Sequence, residues 1–143
     1  SSAASDVYKR QDGIAYKEYA IADTNEVQSV TTAAAGECDV LYIPTDNTLA
    51  SVTETVYNVV APAKIPVIAG EEGICNGCGV ATLSISYYDL GYATGEMAYE
   101  ILAEGADITT MDVRYAPNVT KKYNAKICEE LGITVPDDYV AIQ

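Results

Sequence analysis

Short apolar runs alternate with helical patterns along most of this chain. Cys38 to Ile43 and Ile65 to Ala69 are nearly continuous apolar stretches, which are typical of strands buried on both faces of a sheet. The valines between residues 52 and 60 recur at helical spacing, which predicts an amphipathic helix between the two strands. Gly70 to Gly79 is rich in glycine and predicts a long loop after the second strand.

The other segments continue this alternation of strand and helix. The further predicted elements are a strand over 14–20, a helix over 27–36, an extended segment over 80–86, a helix from Asp89 to before Gly105, a strand over 111–115 and a helix over 120–131. Strands and helices of these lengths favour an α/β fold with a parallel, doubly wound sheet.

The first eleven residues stand apart from this pattern. Ser1 to Gln11 (SSAASDVYKRQ) follows no structural period and matches the in-frame translation of a transposase-type sequencing adapter. We interpret it as an assembly artefact and not as a natural leader. On this interpretation, a signal peptide or a lipid-attachment cysteine would lie upstream of the printed sequence.

Composition and charge narrow the classes of function. Of the 143 residues, 49% are hydrophobic and 20% are charged, which is the balance of a folded domain. No apolar run reaches the roughly 20 residues that a membrane-spanning helix needs. The net charge of −13 disfavours binding to nucleic acid or anionic lipid. The sequence has no histidine, the usual general base and commonest metal ligand, so we expect no catalytic residue, metal or cofactor.

Two polar loops follow the two apolar strands and form the predicted binding site. Thr45, Asp46 and Asn47 follow the first strand, and Glu71 and Glu72 follow the second. The carboxyl ends of parallel strands meet at one edge of a sheet, and ligands of open α/β folds bind there. Carboxylates at this edge would suit an ammonium group through charge-assisted hydrogen bonds.

Each of these residues also has a purely structural explanation. Asp46 and Asn47 could make a turn or cap the next helix, and adjacent acids such as Glu71 and Glu72 are often only solvated. Two neighbouring carboxylates could form a glycosidase pair, although nothing in their spacing specifies one. The pair of tyrosines that begins at Tyr87 could cover an aromatic ligand or simply pack against the protein.

Cys75 and Cys78 form a C-x-x-C motif inside the predicted loop. A redox motif of this kind normally begins a helix after a strand, with thioredoxin-like flanks. A zinc site would need two more ligands, and Cys38 and Cys128 stand singly on elements predicted to be core. A local disulfide and free thiols both remain open for the pair.

Three stretches of the chain resemble one known family. They are CDVLYIPTDNTLAS from Cys38, KIPVIAGEEGICNGCGVATLSISYYDLGYATGEMAYEIL from Lys64 and YNAKICEELGITVP from Tyr123. Over essentially all of residues 12–142, the chain is similar to the ABC-transporter substrate-binding proteins associated with aromatic amino acids, tryptophan above all.

The resemblance implies a type I periplasmic-binding fold, in which two α/β lobes close on a ligand. Residues 12–75 would belong to the carboxyl-terminal lobe, 76–117 would cross into the other lobe, and 118–143 would return. Most of the amino-terminal lobe would be missing from this chain. The ligand-contacting residues that the resemblance implies are Asp46, Asn47, Glu71 or Glu72, and Ser84 through Tyr87.

The implied function is binding without chemistry. An extracytoplasmic, lipid-anchored or periplasmic protein would capture an amino acid and deliver it to ABC permease subunits. Two alternatives remain: a sensory or transcriptional-regulator domain of the same fold, and a thiol redox protein that uses Cys75 and Cys78.

Overall fold

The computed structural model describes residues 13–143, so the interpretation of Ser1 to Gln11 falls outside the described residues. The elements follow in the order α1 (Val27–Glu37), β1 (Leu41–Ile43), α2 (Asn47–Ala50), α3 (Thr53–Ala63), β2 (Val67–Ala69), α4 (Glu72–Cys78), β3 (Ala81–Ile85), α5 (Tyr87–Leu102), a 3₁₀ turn (Ile108–Thr110), β4 (Val119–Tyr123), α6 (Ala125–Leu131) and β5 (Val140–Ala141). Within the described part, no helix is both long and apolar enough to cross a bilayer.

The five strands form one sheet in the order β1-β2-β3-β4-β5. The first three strands run parallel, β4 runs antiparallel to β3, and β5 runs parallel to β4. The predicted α/β class is therefore confirmed, and the sheet, which was predicted to be parallel, is mostly parallel. The antiparallel step arises because the chain leaves the sheet after β3 and comes back directly beside it as β4.

The core lies on one face of the sheet. Ile43, Val67 and Ala69 pack there against α1, α3 and α4. The buried residues that these three helices contribute to the cluster are Val27, Val56, Val60, Ile74, Cys75 and Cys78. A smaller cluster, in which Val80 packs with Ile127 of α6, extends the core beyond β3.

The opposite face of the sheet is largely exposed in the described chain. Tyr42 is 59% exposed, Ile68 39% and Leu83 57%, although their strand neighbours are buried. The prediction that the strands before residues 44 and 70 are buried on both faces is therefore wrong for this chain. The reason is that α1, α3 and α4 all lie on the same side of the sheet.

The segment predicted as a glycine-rich loop is the helix α4. Its amino terminus is capped by Glu71, and its glycines allow close packing rather than disorder. An ideal Cβ on Gly77 would lie 2.2 Å from the hydroxyl oxygen of Thr53 on α3. Sequence periodicity could not reveal this helix because the contact that selects Gly77 comes from a distant segment.

Three other predicted elements differ from the structure. Residues 14–20 form no strand; their neighbour on α1 is Glu37, which pairs with Lys17 and accepts a hydrogen bond from Tyr19. Residues 111–115 are irregular, and Arg114 pairs with Glu100 of α5 instead of joining the sheet. The helix predicted from residue 120 begins only at residue 125, because 119–123 pair with β3.

Residues 86–118 form an excursion away from the sheet. The excursion contains α5 and the 3₁₀ turn, and no residue of α5 is buried. It leaves the sheet after Ile85 and returns at Val119, and these two residues are paired across β3 and β4. Both connections of the excursion are therefore side by side.

Candidate functional site

The loops that follow β1 and β2 touch each other at the carboxyl edge of the sheet. The Gly70 N–H donates to the Ile43 carbonyl at 2.7 Å, and the Thr45 hydroxyl donates to the Gly70 carbonyl at 3.3 Å. An ideal Cβ on Gly70 would lie 2.7 Å from the Thr45 nitrogen, so the approach requires glycine. The prediction that the two loops share one edge is confirmed, because β1 and β2 are parallel.

Asp46 lies at the exposed surface of this edge and caps the short helix α2. Its Oδ1 accepts a hydrogen bond from the Leu49 N–H at 2.9 Å. No other hydrogen bond to its side chain occurs among the described residues. Asp46 is thus both a helix cap, as the structural explanation proposed, and an exposed residue with one carboxylate oxygen left over. Asn47 is the first residue of α2 and is also exposed.

Glu71 caps the helix α4 with both of its carboxylate oxygens. Oε2 accepts from the Gly73 N–H at 2.8 Å, and Oε1 accepts from the Ile74 N–H. These bonds satisfy donors that a helix amino terminus otherwise leaves unpaired. Both oxygens of Glu71 therefore serve the cap of α4, with one backbone N–H bonded to each.

The Glu72 carboxylate accepts hydrogen bonds from side chains on two strands, β3 and β4. Its Oε2 accepts a hydrogen bond from the Ser84 hydroxyl at 2.8 Å and another from the Lys122 ammonium at 2.7 Å. The Lys122 hydrogen bond, followed by that of Ser84, lowers the pKa of the Glu72 carboxyl. Ser84 is buried on β3. The structure therefore joins two residues of the predicted site, Glu72 and Ser84, directly, and adds a third residue, Lys122, that the sequence analysis missed.

Tyr87 lies after β3, at the same edge of the sheet as the other predicted residues. It is the first residue of α5 and is 63% exposed; Tyr88 beside it is 80% exposed. Neither ring is packed in the core, so both are placed where a ligand or another part of the protein can cover them. Lys122 itself carried no sequence signal, because a lysine pair on an alternating segment is usually only solvated.

The C-x-x-C cysteines are buried thiols on the helix α4. Cys75 and Cys78 are free and are at most 1% exposed. The Cys78 thiol donates to the Ile74 carbonyl, as the Cys128 thiol does to the Val80 carbonyl. Burial raises the pKa of both Cys75 and Cys78 to about 12. A redox nucleophile needs a lowered pKa, so this environment favours inert core thiols.

We expect the order in which the cysteines are alkylated in the native protein to follow their exposure. At pH 8, iodoacetamide is expected to label the half-buried Cys38 well before Cys75 and Cys78, which should react only after denaturation in urea. Peptide mass spectrometry against reaction time measures the order. Rapid labelling of Cys75 or Cys78 at pH 6 in the folded protein would contradict the assignment and support a redox thiol.

A groove of about 410 Å³ lies elsewhere, along the excursion. It is lined by α5 and by the returning segment, including Tyr92, Glu96 and Tyr115. It shares no residue with the edge of the sheet that carries Asp46. Across residues 13–143, no group of three or more cysteine, aspartate or glutamate side chains is placed to hold a metal ion.

Comparisons with known proteins identify similar sequences and structures. A family model described as "ABC transporter substrate binding protein" matches residues 5–142. A tyrosine-binding protein of Clostridioides difficile strain R20291 is 37% identical over 110 residues, which are 73% of this chain and 32% of that protein.

Two solved structures share the fold. A substrate binding protein with adhesive properties from Clostridium difficile, in a ligand-free, open structure, has a TM-score of 0.75 and 35% identity over 99% of this chain and 49% of that one. An ABC domain from Streptococcus pneumonia in complex with L-Trp has a TM-score of 0.80 and 30% identity over 96% of this chain and 49% of that one. The chain thus spans a third to a half of the length of these relatives.

Proposed function

This chain belongs to the family of ABC transporter substrate-binding proteins. We propose that it helps to bind an aromatic amino acid for import. The chain would supply most of one lobe and a segment of the other. The bound solute would then pass to the permease subunits of an ABC importer. The proposed place of action is outside the cytoplasmic membrane, where such a binding protein meets its solute.

The observation that carries the proposal is the carboxylate of Asp46 at the contact between the β1 and β2 loops. One of its oxygens accepts a hydrogen bond from the Leu49 N–H, the other accepts none from the described residues, and Asp46 is exposed. An exposed carboxylate suits the ammonium group of an amino acid. The tyrosine-binding relative and the L-Trp complex indicate the ligand class.

The excursion supports the proposed two-lobe arrangement. Residues 86–118 leave and re-enter the sheet at one paired position, which is the geometry expected of two crossovers between lobes. The exposed α5 has one side available for packing against chain that this sequence does not contain. We therefore propose residues 86–118 as the crossing segment in place of 76–117, because Ile85 and Val119 are paired in the sheet.

Binding without chemistry agrees with the residues at the site. Glu71 is a helix cap and Glu72 is held by Lys122, so the paired carboxylates lack the separate acid and base roles of a glycosidase. The buried thiols with a raised pKa disfavour the redox alternative. We therefore propose no enzymatic reaction for this protein.

A thermal-shift screen of the full-length protein that contains this chain tests the proposal. Tyrosine, tryptophan or phenylalanine at 100 times the dissociation constant should stabilise the protein by about 2.7 kcal/mol, a visible rise in melting temperature. Acidic and small aliphatic amino acids serve as controls. If no aromatic amino acid raises the melting temperature, the assignment of the ligand is wrong.

A further inference from the structure

The carboxylate of Glu72 ties together three elements that are far apart in the sequence. Glu72 is the first residue of α4, Ser84 lies on β3 and Lys122 lies on β4. Both partners donate to the same oxygen, at 2.8 Å and 2.7 Å. The Lys122 side chain is 28% exposed and that of Glu72 is 39% exposed, so this pair is less exposed than most ion pairs among residues 13–143.

These two hydrogen bonds to Glu72 lie next to the points where the excursion leaves and rejoins the sheet. In the antiparallel pairing, Ser84 lies opposite Thr120 and is one residue from the paired ends Ile85 and Val119. On the other side, Glu72 directly follows Glu71, the cap of α4, in the loop that contacts Thr45. The same carboxylate therefore links the candidate binding loop to both strands through which the excursion joins the sheet.

We propose that Lys122 is a positioning residue of the candidate site, clamping the first turn of α4 to β3 and β4 through Glu72. The clamp fixes the position of the loop after β2 relative to the ends of β3 and β4, where the two crossovers begin. Movement of the excursion relative to the sheet then takes place outside the clamped residues, at residue 86 and over residues 116–118. The inference deepens the proposed function and rests on it, because the clamp matters for binding only if the excursion moves against the sheet.

Lys122 differs from the neighbouring Lys121 in the exposure and the position of its ion pair. Lys121 pairs with Asp138, but both side chains are about half exposed, at 47% and 58%, and the pair lies away from α4. Exposed pairs contribute little because solvent screens them, and the partly exposed Lys122–Glu72 pair differs from Lys121–Asp138 mainly in joining α4 to β4. Lys121 is thus a control on the same strand with the same charge.

Amide hydrogen exchange of the ligand-free, full-length protein tests the clamp. Lys122→Met should speed exchange about tenfold or more in three segments together: 72–76, 82–86 and 119–123. Lys121→Met should leave these segments unchanged, and Lys122→Arg should restore most of the protection. Faster exchange confined to β4, or none, would overturn the clamp. The double variant Glu72→Gln/Lys122→Met removes both charges and keeps the test available if Lys122→Met alone does not fold.

Ligand affinity separates positioning from a merely structural role. Lys122→Met should raise the dissociation constant for the bound aromatic amino acid about tenfold, because the loop after β2 would no longer be held in place for the ligand. Lys121→Met should change it less than twofold. An unchanged dissociation constant in a Lys122→Met protein with altered exchange would overturn the positioning role. A wild-type protein that binds no amino acid would overturn the proposed function and that role with it, while the exchange data would still decide the clamp.

Discussion

Asp46→Asn is expected to raise the dissociation constant for the aromatic amino acid by about ten- to a hundredfold while leaving the fold intact. Asparagine caps helices about as well as aspartate, so the bond to the Leu49 N–H should persist. Only the negative charge that is proposed to bind the ligand's ammonium group is lost, and a hydrogen bond to a charged group contributes roughly 1.5–3 kcal/mol. Isothermal titration calorimetry of the full-length protein measures the change.

Asp107→Asn is the matched control for this substitution. Asp107 also caps a short helical turn, because its Oδ1 accepts from the Thr109 N–H at 2.9 Å, but it lies on the excursion. The control should bind the ligand as the wild type does. Asp46→Ala should weaken binding at least as much as Asp46→Asn and also lower stability by about 1 kcal/mol through loss of the cap. Equal affinity of the Asp46→Asn and wild-type proteins would remove Asp46 from the site.

Gly77→Ala is expected to destabilise the chain by about 1–3 kcal/mol, even though alanine is the better helix former. The new methyl group would lie 2.2 Å from the Thr53 hydroxyl oxygen and 2.4 Å from the Thr53 Cβ. Rotation of the threonine side chain cannot remove the second contact, because Cβ is fixed to the backbone. The helices α3 and α4 would have to separate, and Val56 and Ile74 of the core lie on them.

Gly36→Ala provides the control for helix propensity. Gly36 lies within α1, and no atom lies within 4 Å of an ideal Cβ there. That variant should gain roughly 0.5–1 kcal/mol, since alanine loses less backbone entropy than glycine on folding. Urea denaturation followed by circular dichroism measures both free energies of unfolding. If the two variants were equally stable, the close contact between α3 and α4 would be disproved.

The sequence predicted the features that depend on local periodicity and on simple rules of chain geometry. The valines over 52–60 predicted α3, and the apolar runs ending at Ile43 and Ala69 predicted β1 and β2. Because strands joined by one helix run parallel, the polar residues after each strand had to emerge at one edge. The candidate site around Asp46 could be placed at this edge without any coordinates.

The sequence could not predict features that depend on partners far along the chain. Residues 119–123 have a pattern that also fits a helix, and only the free edge of β3 makes them a strand. Cys75 and Cys78 carry the signature of a redox motif, but packing of α4 against α3 buries them.

The α/β class, the family and the edge of the sheet where the polar loops meet all follow from the printed residues. The cap formed by Glu71, and the contact of Glu72 with Lys122 fifty residues away, emerge only when the elements pack together. Periodicity reports which face of an element is apolar and nothing about its distant partners. The partner of a charged or glycine residue is chosen by the packing of whole elements, which a local pattern does not encode.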